Sequence, residues 1–301
     1  HRERIPRAND PMGPWEEYTE GNPILTQRVG LDPNRPDIVT SAGHADIVQG
    51  PKGDWWAVFL ACRPYQDDFY NTGRDTYLLP VTWKDGWPTI LESGRVVPTV
   101  NKKAGLQYEA GLCNTGNFSY VDRFDSPTLD MRWMYLRNPD LSAYNVGSNG
   151  LSIKASDANI HQVKPITAVF RRQQHNTFTA ETEVMFTPAN DKELAGFALL
   201  QNEQYNFTFG KTKIGGRTAI VLTRAEKNNV VIGSKFLCEK CADRPVKLRI
   251  HGDGRYYDFS YSFDGTTWNV IAQGVDAVNL STHQSGGFIG ACIGLYATRN
   301  K

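Results

Sequence analysis

The sequence predicts an all-β protein in two parts, and three observations support this prediction. Short apolar runs recur at regular spacing, turn signals rich in Gly, Asp and Pro separate them, and helical periodicity with capping residues is scarce. Between about residues 40 and 93 the spacing of these runs is typical of a propeller, a sandwich or a barrel. From about residue 120 the alternating strands predict a two-sheet antiparallel sandwich, because an open sheet of that length must cover its apolar face.

The first part begins with turns and short extended pieces, which the stretches PMGPWEEY and GNPILT indicate. HADIVQG (44–50) and DWWAVFLAC (54–62) flank the turn PKGD and predict a β-hairpin. DTYLLPVTW (75–83) and PTILES (88–93) flank KDGW and predict another strand, turn and strand. Between residues 96 and 117 the periodicity lapses, which indicates a surface linker between two domains.

The second part consists of further alternating runs. In TFTAETEVMF, residues 177–186, apolar and polar side chains alternate with a period of two, so that Phe178 and Val184 share one face and Glu181 lies on the other. This pattern predicts half-buried antiparallel strands. Asp264-Gly265 in SYSFDGTTWNVI lies between two such runs and is a hairpin signal.

Length, composition and charge restrict the function classes. The chain has 301 residues, which at about 100–200 residues per domain gives one large or two ordinary domains. With a net charge of +1, the chain has no large excess of positive charge that would attract nucleic acid or an anionic membrane surface. Because no run of about 18 apolar residues occurs, a membrane-spanning helix is not predicted either. We therefore expect no nucleic-acid partner and no membrane partner.

The cysteines and the glycosylation triplets give information on whether the protein is secreted. The chain has five cysteines, and the CEKC motif at Cys238 and Cys241 is open to three interpretations: half of a zinc site, a redox pair, or a local disulfide or plain thiols. Because no second CxxC or HxxxH accompanies it, the last interpretation is favoured. Asn117, Asn206 and Asn279 begin N-x-S/T triplets and are glycan-acceptor candidates if the chain is secreted.

Few residues point to chemistry on their own. The sequence has no GxxxxGK[ST], GxSxG or HExxH motif, so several common enzyme classes lose support. His44, Arg63 and Arg74 stand beside predicted strand ends. A histidine there can ligate a metal, orient a substrate or simply pack in the sheet. An arginine there can bind a hydroxyl-rich ligand or a carboxylate, or form a surface salt bridge.

Several segments, in this order, resemble glycoside hydrolase family 43, the β-xylosidases and α-L-arabinofuranosidases. MGPWEEYTEGNPILT, GHADIVQGPKGDWWAVFL and GRDTYLLPVTWKDGWPTI are similar to stretches of the family's five-bladed β-propeller. DRFDSPTLDMRWMYLRNP and FRRQQHNTFTAETEVMFTP are similar to the concanavalin A-like sandwich appended to the larger xylosidases. The resemblance covers nearly the whole chain.

The resemblance implies an architecture and an activity. Residues 1–100 would be the C-terminal part of a five-bladed β-propeller, 101–118 a linker, and 119–301 an antiparallel, jelly-roll, concanavalin A-like sandwich. The implied activity is that of an extracellular exo β-1,4-xylosidase, to which an α-L-arabinofuranosidase activity can be added, acting on xylo-oligosaccharides or arabinoxylan. The family inverts the anomeric carbon with an acid and a base that stand about 6.5–9.5 Å apart to admit water.

The resemblance places the family's three catalytic carboxylates upstream of residue 1, so none is assigned to this chain. We therefore expect the chain to be inactive without an N-terminal propeller half, supplied in the same or a separate chain. A non-catalytic, lectin-like carbohydrate-binding protein is the alternative.

Three residues match positions of the family. His44 matches a histidine that helps to hold a calcium ion or a water cluster at the propeller centre, and no organic cofactor is expected. Arg74 matches an arginine that binds the hydroxyls of the glycone. Phe288 resembles an aromatic side chain that narrows the pocket mouth, although an apolar core position on the last strand is an alternative for it.

Overall fold

The computed structural model describes residues 2–102 and 116–301 and divides into two compact units. Unit 1 comprises residues 1–64 and 73–119, and unit 2 comprises residues 65–72 and 120–301. Of the predicted linker 101–118, residues 103–115 lie outside the described residues. Strands dominate both units, so the all-β prediction is confirmed.

The strands of unit 1 are β1 (Arg2–Glu3), β2 (Pro6–Arg7), β3 (Glu16–Glu17), β4 (Leu25–Thr26), β5 (Thr40–Gln49), β6 (Trp55–Cys62), β7 (Asp75–Lys84) and β8 (Trp87–Thr89). They form an antiparallel four-stranded sheet with the order β5-β6-β7-β8 and the short pairs β1-β4 and β2-β3. The two predicted hairpins supply the larger sheet, because the PKGD turn joins β5 to β6 and the KDGW turn joins β7 to β8.

The core of unit 1 lies against β6, whose apolar run is buried over most of its length. Ala57 and Phe59 contribute from β6 and Leu79 from β7, and each is at most 3% exposed. Ile24 and Leu25, from the stretch GNPILT, pack against the same cluster. The short N-terminal pieces therefore fold onto the sheet because they carry apolar side chains that it buries.

The strands of unit 2 are β9 (Tyr144–Gly147), β10 (Gly150–Ile153), β11 (Ala168–Arg172), β12 (Thr177–Val184), β13 (Leu194–Asn202), β14 (Tyr205–Ile214), β15 (Arg217–Glu226), β16 (Asn228–Phe236), β17 (Val246–Asp253), β18 (Tyr256–Ser262), β19 (Asn269–Asp276) and β20 (Cys292–Thr298). Six of them form one sheet with the order β11-β20-β13-β14-β15-β16. Four form a second sheet with the order β12-β17-β18-β19, and β9 pairs with β10.

Helical segments are short in the described residues. Single 3₁₀ turns span Leu141–Ala143, Glu239–Cys241 and Val278–Leu280, and a short helix, α1, spans Thr282–Ser285. None of the helices in the described part of the chain has the length and apolar character needed to cross a membrane.

The six-stranded sheet is covered on both faces. Phe207 and Phe209 of β14 face the four-stranded sheet, where they pack on Phe259 of β18 with ring centroids 5.9 and 5.3 Å apart. On the opposite face, Ile160 and Ile166 pack on the sheet from the segment that precedes β11. This double burial explains why LAGFALLQN in β13 is apolar almost throughout instead of alternating.

The four-stranded sheet, by contrast, is covered on one face. In β12 the burial alternates as predicted, with the odd-numbered residues from Thr177 to Glu183 exposed and the even-numbered ones partly buried against the core. The polar face of this sheet is open among the described residues.

A disulfide joins Cys238 to Cys241. The structure thus selects one of the three interpretations of the CEKC motif, because sulfur atoms bonded to each other are not available as thiolate ligands for zinc. Cys238 directly precedes the 3₁₀ turn Glu239–Cys241 between β16 and β17, and Cys241 is the last residue of that turn.

A segment from within the β6–β7 connection belongs to unit 2. Asn71 is fully buried there, and its amide nitrogen donates to the Tyr257 hydroxyl (3.1 Å) and to the carbonyl of Ala277 (3.3 Å). Its own carbonyl accepts from the backbone nitrogen of Ala291 at 2.7 Å. The Tyr257 hydroxyl donates in turn to Gln173 at 2.9 Å, and burial raises the pKa of this tyrosine to about 12.

Replacing Asn71 by alanine is expected to lower the free energy of unfolding by about 1–3 kcal/mol, because it removes the buried hydrogen bonds that the Asn71 amide donates to the Tyr257 hydroxyl and the Ala277 carbonyl. Chemical denaturation measures this change. Gln66→Ala, in the same segment but exposed, serves as the control and should shift the free energy by less than about 0.5 kcal/mol. Equal effects of the two changes would contradict the role given to Asn71.

Candidate functional site

The first half of β5 is distorted around His44. Ser41 and His44 both have φ of 57°, in the left-handed region, and the pairing of β5 with β6 shifts register between Thr40 and Gly43 and again between Gly43 and Asp46. Such backbone costs about 1–3 kcal/mol per residue outside glycine and persists where the surroundings enforce it. Bulges of this kind often re-aim a side chain beside a functional site. His44 is exposed at the distortion.

Glu3 of β1 braces this distortion. Its carboxylate accepts a hydrogen bond from the backbone nitrogen of Ala45 at 3.2 Å, directly after His44. A Cβ atom at Gly43 would lie 3.5 Å from the same carboxylate oxygen, so β1 passes close to β5 here. The sequence did not reveal this role, because a lone glutamate in a turn-rich stretch carries no pattern.

We expect Glu3→Ala to lower the free energy of unfolding by about 1 kcal/mol, because one hydrogen bond that holds the distorted backbone beside His44 is lost. Chemical denaturation measures this change. Glu3→Gln keeps an acceptor oxygen and should restore most of the stability. Glu20→Ala changes an exposed glutamate of the same unit and serves as the control. If the glutamine variant is as destabilised as the alanine variant, the bracing hydrogen bond is not the cause.

The register of the sheet brings the two predicted arginines to the same end as His44. Leu60 of β6 pairs with Gly43 of β5 on one side and with Thr76 of β7 on the other. Arg63 follows β6 and Arg74 precedes β7, so both lie at this end of the sheet. The structure therefore groups three polar residues that are separated in the sequence.

Arg63 is held by an ion pair. Its Nε donates to Asp75 Oδ2 at 2.7 Å and its Nη2 donates to Asp75 Oδ1 at 3.2 Å, a bidentate arrangement that raises the pKa of the guanidinium. Asp75 is the first residue of β7, so the pair fixes the backbone immediately after Arg74. Arg74 itself is half-buried. Arg63 thus anchors the start of β7 beside Arg74.

This arrangement suits binding rather than proton transfer. The Arg74 guanidinium offers several N–H donors in one plane, which match the oxygens of a hydroxyl-rich ligand. Among the residues that the structure describes, no three His, Cys, Asp or Glu side chains are grouped to hold a metal ion. Because calcium takes six to eight oxygen ligands, His44 and its described neighbours do not make a calcium site by themselves.

Phe288 lies on a surface loop of unit 2. Helix α1 ends at Ser285, Gly286 and Gly287 both have φ of 77°, and Phe288 follows with 72% of its surface exposed. The loop is tied behind the ring, because the carbonyl of Ile289 accepts hydrogen bonds from Gln201 and from the Thr282 hydroxyl, each at 2.9 Å. The alternative of a core position on the last strand is wrong, since β20 begins only at Cys292.

The structure removes two of the three glycan-acceptor candidates. Asn206 and Asn279 are at most 1% exposed, and the amide nitrogen that would carry the sugar donates to backbone carbonyls, at 3.0 Å to Glu203 and at 2.9 Å to Ala225 respectively. A glycan has no room there, so these two predictions are wrong. Asn117 is exposed and remains a candidate.

Two family profiles match the chain. Residues 1–88 match the glycosyl hydrolases family 43 profile, and residues 121–301 match the profile of the β-xylosidase C-terminal concanavalin A-like domain. The two matches follow the two parts predicted from the sequence.

Curated relatives and solved structures agree with these profiles. A non-reducing-end α-L-arabinofuranosidase of Bacteroides ovatus is 30% identical over 100% of this chain and 55% of its own length, and a β-xylosidase of Bacillus subtilis is 27% identical over 98% and 57%. The structure of a family 43 protein from Bacillus licheniformis superposes with a TM-score of 0.83 at 27% identity, over 99% of this chain and 56% of that one.

A family 43 structure retrieved from the capybara gut metagenome also gives a TM-score of 0.83, at 32% identity over 99% of this chain and 55% of that chain. The chain thus spans about half the length of the relatives it matches. Both profiles, the relatives and the structures lead to one assignment: the chain belongs to glycosyl hydrolase family 43 and carries the family's concanavalin A-like C-terminal domain.

Proposed function

We propose that the protein to which these residues belong is an exo-acting glycosidase that releases xylose or arabinose from the non-reducing ends of xylan-derived oligosaccharides with inversion. Within it, this chain binds the glycone and supplies no catalytic carboxylate. The observation that carries the proposal is the placement of Arg74, half-buried and flanked by the anchored Arg63–Asp75 pair, in a family whose named members are xylosidases and arabinofuranosidases.

The proposed substrate is a neutral sugar. A sugar offers hydroxyl oxygens and no charge, so recognition depends on fixed donors and on shape. Arg74, half-buried in unit 1, supplies such donors. The lectin-like alternative has no support among the relatives, which are named as glycosidases.

The test is an assay of the full-length enzyme on the 4-nitrophenyl glycosides of β-xylose and α-L-arabinofuranose. Hydrolysis of either supports the proposal, and the ratio of the two kcat/KM values identifies the preferred sugar. NMR of the first product formed should show an inverted anomeric configuration. Absence of hydrolysis of both compounds and of xylobiose would overturn the proposal. The 301-residue chain assayed alone should be inactive.

Calcium remains part of the proposal in a restricted form. His44 would meet such an ion through water, or together with ligands outside the described residues, because a hard cation prefers oxygen. Kinetics before and after treatment with a chelator test this.

A secreted location is likewise proposed, supported by the Cys238–Cys241 disulfide and the exposed triplet at Asn117, since disulfides persist in oxidising compartments.

A further inference from the structure

The open face of the four-stranded sheet in unit 2 carries two adjoining hollows. The first has a volume of about 470 Å³ and the second about 370 Å³. Every residue that lines either hollow belongs to unit 2. Neither hollow takes part in the function proposed above.

A fixed group of three side chains borders the first hollow. The Arg249 guanidinium lies 3.6 Å from the ring centroid of Trp268 and donates from Nε to Glu181 at 2.7 Å. Arg249 is thus held between an aromatic ring and a carboxylate, which neutralises its charge and fixes the orientation of the indole. Trp268 is half-buried and contributes an apolar edge to the hollow.

Two tyrosines border the second hollow. Tyr256 is 53% exposed, an unusual position for a large aromatic side chain, and Tyr65 lines the hollow beside it. Arg255 of the same hollow donates from Nη2 to Asp276 at 2.6 Å, so its charge is also satisfied within the protein.

The two hollows are continuous along β12 and β17. Thr179 and His251 line the first, Thr177 and Asp253 line the second, and each of these pairs is also paired in the sheet register. The Thr179 hydroxyl lies 3.0 Å from His251 Nδ1, and the Thr177 hydroxyl donates to Asp253 at 3.1 Å. Residues two apart on a strand are about 6.6 Å apart on one face. We call the continuous depression, from Trp268 to Tyr256, the sheet-face groove.

The chemistry of the sheet-face groove selects the class of ligand. Its arginines are paired with carboxylates, so it offers no free positive field to an anion, and the further carboxylates of Asp253 and Asp258 would repel one. Hydroxyl, imidazole and amide groups line the floor, and aromatic rings stand at the two ends. A neutral, elongated molecule with many hydroxyl groups matches both properties.

We propose that the sheet-face groove binds a neutral polysaccharide chain, with Trp268 and Tyr256 contacting sugar rings and the residues between them bonding to hydroxyl groups. This goes beyond the proposed hydrolysis, because it gives the sandwich a role in holding the polymer. The groove is long enough for more than one sugar, since Arg249 and Asp253 alone are about 13 Å apart along β17.

The test measures binding of the 301-residue chain to xylohexaose by calorimetry and its depletion from solution by insoluble xylan. We expect Trp268→Ala and Tyr256→Ala each to weaken binding about tenfold, the equivalent of about 1.4 kcal/mol. Ser260→Trp fills the first hollow without removing a core side chain and should have a similar effect, which covers the case in which Trp268→Ala does not fold. Val231→Ala, exposed on β16 of the other sheet, should bind as the unchanged chain does.

Two further arms sharpen this test. Arg95→Ala, which removes an exposed arginine of unit 1, should bind xylohexaose normally, and polygalacturonate, a polysaccharide with a carboxylate on each sugar, should not bind. Groove-dependent binding in a protein that fails to hydrolyse glycosides would leave the inference standing and overturn only the proposed function. No binding by the unchanged chain, or unchanged affinity in both Ser260→Trp and Tyr256→Ala, would overturn the inference.

Discussion

Replacing Arg74 by alanine in the full-length enzyme is expected to lower kcat/KM for 4-nitrophenyl glycosides by roughly 100-fold. The expected loss follows from the proposed charge-assisted hydrogen bonds between Arg74 and the glycone, since such a bond contributes about 1.5–3 kcal/mol. Because Arg74 begins no strand and its neighbour Asp75 stays paired with Arg63, the fold should survive the change. Steady-state kinetics and a thermal melt measure the two effects.

Two variants sharpen this experiment. Arg74→Lys keeps the charge but not the planar set of donors, so it should recover only a small part of the activity. Arg95→Ala removes an exposed arginine of the same unit and should leave kcat/KM unchanged. If kcat/KM falls less than about threefold for Arg74→Ala while the fold stays intact, this arginine is not part of the substrate-binding site.

Replacing Phe259 by alanine is expected to lower the free energy of unfolding of unit 2 by about 3–5 kcal/mol. Phe259 is fully buried between the two sheets and packs against Phe207 and Phe209. The substitution loses the free energy gained by burying the ring, and it leaves a cavity that the close-packed neighbours fill only in part. For a unit of this size the melting temperature should fall by roughly 6–20 °C.

The matched comparison is again Val231→Ala, which removes a side chain that is 59% exposed on β16 and should change the free energy by less than about 0.5 kcal/mol. Phe259→Leu preserves most of the volume and should cost less than the alanine change. A loss below about 1 kcal/mol for Phe259→Ala would mean that the space between the sheets is not close-packed.

The elements of the fold could be predicted from the sequence where the pattern is local. The alternation in 177–186 predicted β12 and the buried face of its sheet, and Asp264-Gly265 predicted the β18–β19 connection. That connection is longer than a two-residue turn, because Asp264 accepts hydrogen bonds from the backbone nitrogens of Thr266 and Thr267 at 2.8 and 2.7 Å and extends the loop. These bonds also lower the pKa of the Asp264 carboxyl.

The parts that could not be predicted depend on contacts between distant residues. Pairing of β20 with both β11 and β13 leaves no trace in the spacing of apolar residues along any one strand. The buried state of Asn206 is equally invisible in its triplet, because burial follows from the neighbouring strands rather than from the three residues themselves. In the candidate site, the roles expected for His44 and Arg74 are implied by the family resemblance. The distortion of β5 and the hydrogen bond that Glu3 accepts beside it depend on contacts between distant residues, which no local pattern reveals.

The chain passes between the two units three times, after Pro64, after Thr72 and after Ser119. The sandwich is therefore not a contiguous module that can be excised or exchanged at a single junction. A fragment beginning at residue 120 would lack Asn71 and with it the buried hydrogen bonds that this residue donates to the Tyr257 hydroxyl and to the carbonyl of Ala277. Because Asn71 and Tyr257 are 186 positions apart, their bond forms only after residue 257 has been made, so this part of the sandwich consolidates late relative to the synthesis of Asn71.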